Sequence, residues 1–181
     1  MKRKSLMRIY INKVKSLAGI SLLILMLLTA CSVSYKFNGA SIDYSKVKTI
    51  QIAEFPIRSA YVWGPMGPMF NNQLKDVFAS HTRLSQVKRD GDLQIEGEIT
   101  QYQQRNKSVS SEGYSAQTEL SITVHVRFVN NTNHNEDFER DFTANSSYET
   151  TQSLASVQQE LVEQMVKDLT DQIFNATVAN W

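Results

Sequence analysis

The sequence predicts an α+β fold, a two-layer sandwich in which two amphipathic helices pack on one face of a mostly antiparallel four-stranded sheet. Three observations support this prediction. Each candidate strand is apolar on one face only, two segments carry apolar residues at helical spacing, and the elements follow in the order β-α-β-β-β-α. Strands of this kind need a cover on their apolar face, and two amphipathic helices can supply it.

The first two elements are a strand at residues 47–55 and a helix at residues 67–81. In the strand, Ile50 and Ile52 alternate with polar residues, and Pro56 ends the run. Pro68 suits the first turn of the helix, where its missing N–H costs little. The apolar residues at helical spacing are Met66, Met69, Phe70, Leu74, Val77 and Phe78.

Three further strands follow a turn at residues 89–92. Residues 92–100 alternate, and Gly97 falls on their apolar face, which indicates a bulge or the close approach of a packed helix. Residues 103–117 are polar and predict a long loop or flexible strand ends. Residues 118–130 form the clearest strand, and a last strand pairs back as a hairpin after an asparagine-rich turn. The apolar residues of these last two strands are Leu120, Ile122, Val124, Val126, Phe128, Phe138, Phe142 and Tyr148.

A long helix at residues 152–178 closes the predicted fold. Its apolar stripe repeats every three or four residues, and a serine or threonine just before it is a candidate N-cap. The stripe consists of Leu154, Val157, Leu161, Met165, Leu169 and Ile173, broadened by Val162, Val166 and Phe174.

The start of the chain has the pattern of an export signal. Six basic residues precede an apolar run at residues 17–30, which is short for a membrane span. The run ends in Leu28-Thr29-Ala30-Cys31, which resembles the bacterial lipobox, and Cys31 is the single cysteine of the chain. We expect residues 1–30 to be a lipoprotein signal peptide and Cys31 to carry the lipid anchor. The alternative is an ordinary signal, or a short core helix, with an incidental cysteine.

The signal predicts the domain organisation and the location. Residues 31–46 would form a lipidated tether and lead-in segment, and residues 47–181 a single α+β domain. Ser32 follows the cysteine in place of the aspartate that retains many lipoproteins at the inner membrane. We therefore expect an outer-membrane protein that is lipid-anchored and faces the periplasm. Two or more acyl chains make such an anchor durable.

Charge and residue types exclude several function classes. The part that follows Ala30 has 13 basic and 18 acidic residues, a net charge of −5, which argues against nucleic-acid binding. The three histidines, His81, His125 and His134, lack metal-ligand spacing. Glu96 and Glu98 share a strand face, where a solvated charged surface is the more natural interpretation than an acid–base pair. We expect no enzyme activity, no metal, and no cofactor beyond the covalent lipid on Cys31.

Two candidate contact surfaces remain. The first is the polar face of the predicted sheet, formed by Gln94, Glu96, Glu98, Thr123, His125 and Arg127. The second is the predicted long loop, with Arg105, Lys107, Ser108, Ser110, Ser111 and Tyr114. A lipoprotein without catalytic apparatus is typically a binding or assembly subunit.

Three blocks of sequence resemble the LptE family of lipopolysaccharide-assembly lipoproteins, in particular its Bacteroidetes-type branch. They are YKFNGASIDYSKVKTIQIAEFPIRSA, DGDLQIEGEITQY and LVEQMVKDLTDQIFNATVANW. The resemblance extends from Tyr35 to Trp181, and it implies two helices against a four-stranded sheet. It also implies a role as plug and assembly partner of the LptD-type outer-membrane β-barrel, assisting insertion of lipopolysaccharide into the outer leaflet.

The resemblance further implies lipopolysaccharide contact through basic loop residues. Arg105 and Lys107 are the candidates, because they could bond to lipid A phosphates. Ordinary solvation of these two side chains is the alternative. For the whole protein, the alternative function is an outer-membrane-tethered periplasmic lipoprotein that activates a cell-wall synthase. An esterase or peptidase would instead require a serine, a histidine and a carboxylate to converge.

Overall fold

The computed structural model describes residues 42–107 and 117–179, and Cys31 and the predicted signal peptide lie outside these ranges. The strands are β1 (Thr49–Ile52), β2 (Ser85–Val87), β3 (Leu93–Asn106), β4 (Gln117–Asn130) and β5 (Phe138–Glu149). The helices are α1 (Met66–His81) and α2 (Leu154–Phe174). A short 3-10 turn (His134–Glu136) precedes β5, and a π-helical turn (Asn175–Ala179) continues α2.

The predicted α+β class is confirmed, with one more strand than expected. The sheet has the order β2-β1-β3-β4-β5, in which β3, β4 and β5 form an antiparallel meander and β1 runs parallel to both of its neighbours. The extra strand, β2, is the sequence Ser85-Gln86-Val87 at the edge of the sheet. It has no alternating apolar pattern because it is short and two of its three residues are exposed.

Both helices cover the apolar face of the sheet. The centre of α2 is buried, while the two ends of its predicted stripe, Leu154 and Phe174, are half-buried. Phe174 packs edge-on against Phe78 of α1, with ring centroids 5.2 Å apart. Each large apolar side chain buried in this way contributes about 1.5–3 kcal/mol. In the described part of the chain, no helix has both the length and the apolarity that a membrane crossing requires.

The chain between β1 and α1 is held against the sheet by a buried amide. Asn71 of α1 is only 7 % exposed; its Oδ1 accepts from the Phe55 backbone N–H at 2.8 Å, and its Nδ2 donates to the Gly67 carbonyl at 2.9 Å. The Phe55 ring then lies over Gly97, where a Cβ would come within 2.6 Å of Phe55 Cε1. Gly97 is therefore required by a close approach, as predicted, but the packed group is Phe55 rather than a helix.

A β-bulge divides β3 into two halves. The register with β4 shifts between Ile99 and Gln101, so that Tyr102 points to the same side of the sheet as Ile99. The strand then continues to Asn106, and β4 begins at Gln117. Residues 103–117 were predicted as a long loop or as strand ends, and the structure shows strand ends at residues 103–106 and 117. The sequence did not decide between the two because polar residues there occupy both faces and hide the alternation.

Candidate partner-binding face

Above the pair formed by Gln94 and Val129, the side of the β3–β4–β5 meander that faces away from the helices is polar. We call it the outer face. The strand register arranges its residues in cross-strand rows, and each row takes one residue from each strand. From the bottom row upward these are Glu96, Arg127 and Glu139; Glu98, His125 and Asp141; Gln101, Thr123 and Thr143; and Gln103, Ser121 and Asn145.

The two lower rows carry alternating charge. Arg127 Nη1 donates to Glu96 Oε1 at 2.7 Å across β4 and β3. Glu98 lies 3.8 Å from Arg58 Nε, which belongs to the segment that follows β1. The two glutamates considered as a carboxylate pair thus have separate basic partners, which is an arrangement for surface charge balance rather than proton transfer.

His125 lies between two carboxylates of β5. Its Nδ1 is 2.7 Å from Asp141 Oδ1, and its Nε2 is 3.0 Å from Glu139 Oε1. Since both carboxylates accept, both ring nitrogens donate only when the imidazole is protonated. The hydrogen bond to Asp141, followed by that to Glu139, raises the pKa of His125 above its ordinary value.

The upper rows are neutral. Thr123 Oγ1 is 3.2 Å from Gln101 Oε1 and 3.0 Å from Thr143 Oγ1, which gives a hydrogen-bonded row across three strands. Thr123 and Ser121 are nearly buried although they lie on the outer face. They belong to the central strand of the meander, which has a neighbouring strand on each side.

An open cavity of about 720 Å³ lies where these neutral rows meet the margin of β3. Its lining consists of outer-face residues, β3 residues at positions 100–104 and the bend at residues 59–61. Tyr61 from this bend stacks on Tyr102, with ring centroids 5.4 Å apart and planes inclined by 16°. Tyr61 and its neighbour Val62 are 53 % and 55 % exposed, and the sequence analysis did not single them out.

The structure places Arg105 and Lys107 together at the upper end of the outer face. Arg105 is in β3 rather than in a loop, and Lys107 follows that strand directly. Lys107 Nζ lies 3.1 Å from Glu119 Oε2 and donates to Ser147 Oγ at 2.8 Å, while Arg105 pairs in register with Glu119. The other residues of the second predicted surface, Ser108 to Tyr114, lie outside the described ranges.

The remaining features with predicted or open roles are structural or on the surface. Trp63 packs against the core, and its carbonyl accepts from the Met66 N–H at 3.0 Å, so the Gly-Pro loop at residues 64–68 begins α1. His134 bonds to Asp137 in the turn before β5. Residues 42–107 and 117–179 contain no group of three or more potential metal ligands.

The chain resembles several solved structures. Among solved structures, it resembles a minor lipoprotein from Acinetobacter baumannii, with 17 % identity over 71 % of this chain and 91 % of that chain and a TM-score of 0.49. It also resembles lipoprotein B from Nitrosomonas europaea, with 21 % identity over 71 % of this chain and 80 % of that chain and a TM-score of 0.45. A hypothetical protein from Chlamydia trachomatis has 8 % identity over 72 % of this chain and 98 % of that chain and a TM-score of 0.47.

These structural likenesses are too distant to carry an argument about function. No curated protein matches the sequence. The family model described as LptE, lipopolysaccharide-assembly, matches residues 47–177, which include every strand and helix described above. Because that match spans well over half of the chain, the chain belongs to the LptE family of lipopolysaccharide-assembly proteins.

Proposed function

We propose that this protein is a lipid-anchored subunit of the outer-membrane lipopolysaccharide translocon, where it plugs and helps to assemble an LptD-type β-barrel. The family match supports the assignment to lipopolysaccharide assembly. The observation that carries the barrel partnership is the outer face, on which three long strands present polar side chains and balanced charge. The lumen of a wide outer-membrane barrel is polar, so a plug needs a face of this kind.

The anchor completes the proposal. A lipid on Cys31 would hold the protein at the inner leaflet of the outer membrane, with residues 47–181 as one domain facing the periplasm and the barrel. Replacing Cys31 with serine should abolish incorporation of labelled palmitate and release the protein from the membrane fraction. Palmitate label that persists in Cys31→Ser, or that is absent from the wild type, would contradict the lipid anchor but not the barrel partnership.

The decisive experiment is purification of the tagged full-length protein from outer membranes in mild detergent, followed by mass spectrometry. We expect one large β-barrel protein in stoichiometric amount. A cell-wall synthase in its place would favour the alternative function, and a protein that purifies alone would contradict the plug model. The same preparation from cells that express Cys31→Ser controls for adventitious membrane carry-over.

Lipopolysaccharide contact through Arg105 and Lys107 is a second part of the proposal. The two cations share one acidic neighbour, Glu119, so an incoming phosphate group would compete with a single carboxylate. Arg105→Ala combined with Lys107→Ala should weaken binding of purified lipopolysaccharide at least about tenfold, as expected for loss of two charge-assisted contacts.

Two control variants make this test specific. Lys88→Ala combined with Arg89→Ala removes the same charge from exposed positions next to β2 and should leave binding unchanged. Glu119→Gln breaks the Lys107 ion pair but keeps both cations, and it should bind at least as well as the wild type. Equal losses in all three variants would contradict a specific site.

A further inference from the structure

Within the described residues, the sheet has three margins without a neighbouring strand, and these margins differ in length, charge and surroundings. The β2 margin is three residues long. The β5 margin carries Glu139, Arg140 and Asp141 in succession in its lower part, where the Arg140 guanidinium lies 4.5 Å from the centroid of the Phe138 ring, and it is uncharged at residues 142–148. Short strands and charged side chains are the usual protection against strand pairing. The third margin is the upper half of β3, residues 100–106.

The lower half of β3 is a central strand, but the upper half is an edge. Residues 93–95 pair with β1, and Ile57 forms an isolated bridge with Ile99. The last main-chain hydrogen bond on this side runs from the Arg58 N–H to the Ile99 carbonyl at 2.8 Å. The chain then bends away at residues 59–61 toward α1.

The main-chain groups of alternate residues in this upper half point away from β4. The Lys107 N–H donates to the Gln117 carbonyl at 2.8 Å, which makes residues 107 and 117 a hydrogen-bonded pair. In an antiparallel ladder such pairs alternate, so residues 101, 103 and 105 also bond to β4. Tyr102, Gln104 and Asn106 therefore direct their N–H and C=O groups away from β4, where no main-chain partner lies within the described ranges. Tyr102 is buried there, whereas Gln104 and Asn106 are exposed and leave their main-chain groups accessible.

The surroundings of this margin are neutral and partly apolar. The cavity beside it is lined by hydroxyl, amide and aromatic side chains, with Asp141 as the charged member. Asp141 is already bonded to His125. The exposed Tyr61 side chain belongs to this lining, and its neighbour in sequence, Val62, is exposed as well. The margin thus combines unpaired main-chain groups with a groove that is neutral except for Asp141 and ends at Arg105, which is a chemistry that recognises an extended peptide.

We propose that residues 100–106 of β3 bind an extended, uncharged segment of a partner polypeptide, which adds to the sheet as a sixth strand. The inference rests on the proposed function only in requiring a partner that is held through another surface. A dimer of two such margins would have little area compared with the roughly 800 Å² per partner of a stable interface. A segment tethered to a protein already bound on the outer face gains from effective concentration and needs no large area of its own.

The test is photo-crosslinking in intact cells with a benzophenone amino acid in place of Asn106, followed by mass spectrometry of the crosslinked peptides. We expect crosslinks to one contiguous segment of another polypeptide. Gln104→Pro removes an open-side N–H and obstructs an added strand, so it should lower the yield about tenfold or more. Gln104→Ala keeps that N–H while losing the same side-chain bond to Tyr148, and it should leave the yield unchanged.

Three outcomes would overturn the inference. They are an undiminished yield in Gln104→Pro, crosslinks to a second copy of this chain, and a yield no higher than that from benzophenone at exposed Glu160 of α2. If the barrel still co-purifies in any of these cases, the proposed function stands and strand addition alone fails.

A second measurement needs no substitution in this segment. In the purified full-length protein, the amides of the exposed residues Gln104 and Asn106 should exchange with solvent faster than those of Gln103 and Arg105. In the complex isolated from membranes, the amides of Gln104 and Asn106 should become protected as well. Unchanged exchange in a complex that contains the partner would contradict strand addition even if Gln104→Pro fails to fold.

Discussion

The two faces of the β3–β4–β5 meander are built from alternate residues of the same strands, yet they are organised by different physics. On the inner face, Ile99, Val124 and Phe142 are buried against the helices, and fit is set by shape. On the outer face, the rows are set by complementary charge and by hydrogen bonds between short polar side chains. We therefore expect inner-face changes to reduce the free energy of unfolding and outer-face changes to affect mainly binding.

The largest effect should come from Gly97→Ala on the inner face. The added Cβ would lie 2.0 Å from the His125 carbonyl oxygen and 2.6 Å from Phe55 Cε1, and neither the backbone nor the buried ring can move easily. We expect a loss of about 3 kcal/mol or more in the free energy of unfolding, measured by urea titration with circular dichroism.

Gly64→Ala is the matched control for this prediction. A Cβ at Gly64 has no atom within 4 Å, so its effect should stay within about 0.5 kcal/mol. Similar stability of the two variants would contradict the close packing of Phe55 on Gly97.

A smaller effect is expected where the inner face becomes polar, above the bulge. Gln158 Nε2 of α2 donates to the Tyr102 hydroxyl at 2.6 Å, and burial is the main cause that raises the pKa of that hydroxyl. Tyr102→Phe leaves the buried Gln158 amide without this acceptor and should cost about 1–2 kcal/mol by the same titration. Tyr61→Phe, which alters the exposed ring stacked on Tyr102, should be nearly neutral.

The double variant shows whether the pair acts as a unit. If Tyr102→Phe combined with Gln158→Leu is less stable than the sum of the two single changes predicts, the hydrogen bond is not the source of the effect.

Asp92 links the strands themselves rather than either face. Its Oδ2 accepts from the Lys48 N–H at 2.8 Å and from the N–H and hydroxyl of Thr49, each at 2.9 Å. The hydrogen bond from Lys48 is the largest cause that lowers the pKa of Asp92 below its ordinary value near 3.8. Asp92→Asn should lower the free energy of unfolding by about 1 kcal/mol at neutral pH, since it weakens charge-assisted bonds.

The stability difference between wild type and Asp92→Asn should depend on pH. The pKa of Asp92 is lower in the folded state than in the unfolded state. The stability that its carboxylate contributes is therefore present above the ordinary pKa and is lost as pH falls through the folded-state pKa. The difference between wild type and Asp92→Asn should therefore shrink below pH 3.8. A difference that stays constant down to the acid transition would exclude the carboxylate as its cause. Asp76→Asn, on the exposed surface of α1, serves as the control.

Periodicity predicts the parts of this fold in which one face is apolar. Both helices and the lower half of β3 could be predicted because their buried residues recur at the helical or the strand period. Above the bulge, the sequence Thr100-Gln101-Tyr102-Gln103-Gln104 has a single apolar residue, so neither period can be recognised. The bulge, the extension of β3 and the open margin are consequences of tertiary packing.

The residues that β4 places on the outer face could be predicted from the sequence, but their contacts with β5 could not. The alternation in β4 places Thr123, His125 and Arg127 on one side, and the structure confirms it. The contribution of β5 was not predicted, because the partners of these residues depend on the register between β4 and β5. The carboxylates at Glu139 and Asp141 surround His125 only after the hairpin has closed, so its raised pKa had no signal in the local sequence.

The smallest predicted effect on stability belongs to His125, the outer-face residue with the most defined partners. The pKa of His125 is raised in the folded state. The stability that the residue contributes is therefore present below its ordinary pKa of 6.5 and is lost as pH rises through the folded-state pKa. The side chains of His125 and Asp141 are partly exposed. Surface ion pairs of this kind typically contribute less than about 1 kcal/mol to the free energy of unfolding. His125→Gln should thus reduce stability slightly at pH 5 to 6 and not at pH 9.

Nuclear magnetic resonance titration of the imidazole separates the two carboxylates. Asp141→Asn should lower the pKa of His125 more than Glu139→Gln, because the hydrogen bond to Asp141 is the larger cause of the shift. Glu98 lies opposite His125 in register on β3 but forms its ion pair with Arg58, so Glu98→Gln should change the pKa least. The reverse order would mean that Coulombic attraction across the outer face, and not direct hydrogen bonding, sets the charge of this histidine. The pKa of His125 would then depend on charges in several rows of the outer face. On the inner face, by contrast, each contact depends on its immediate neighbours.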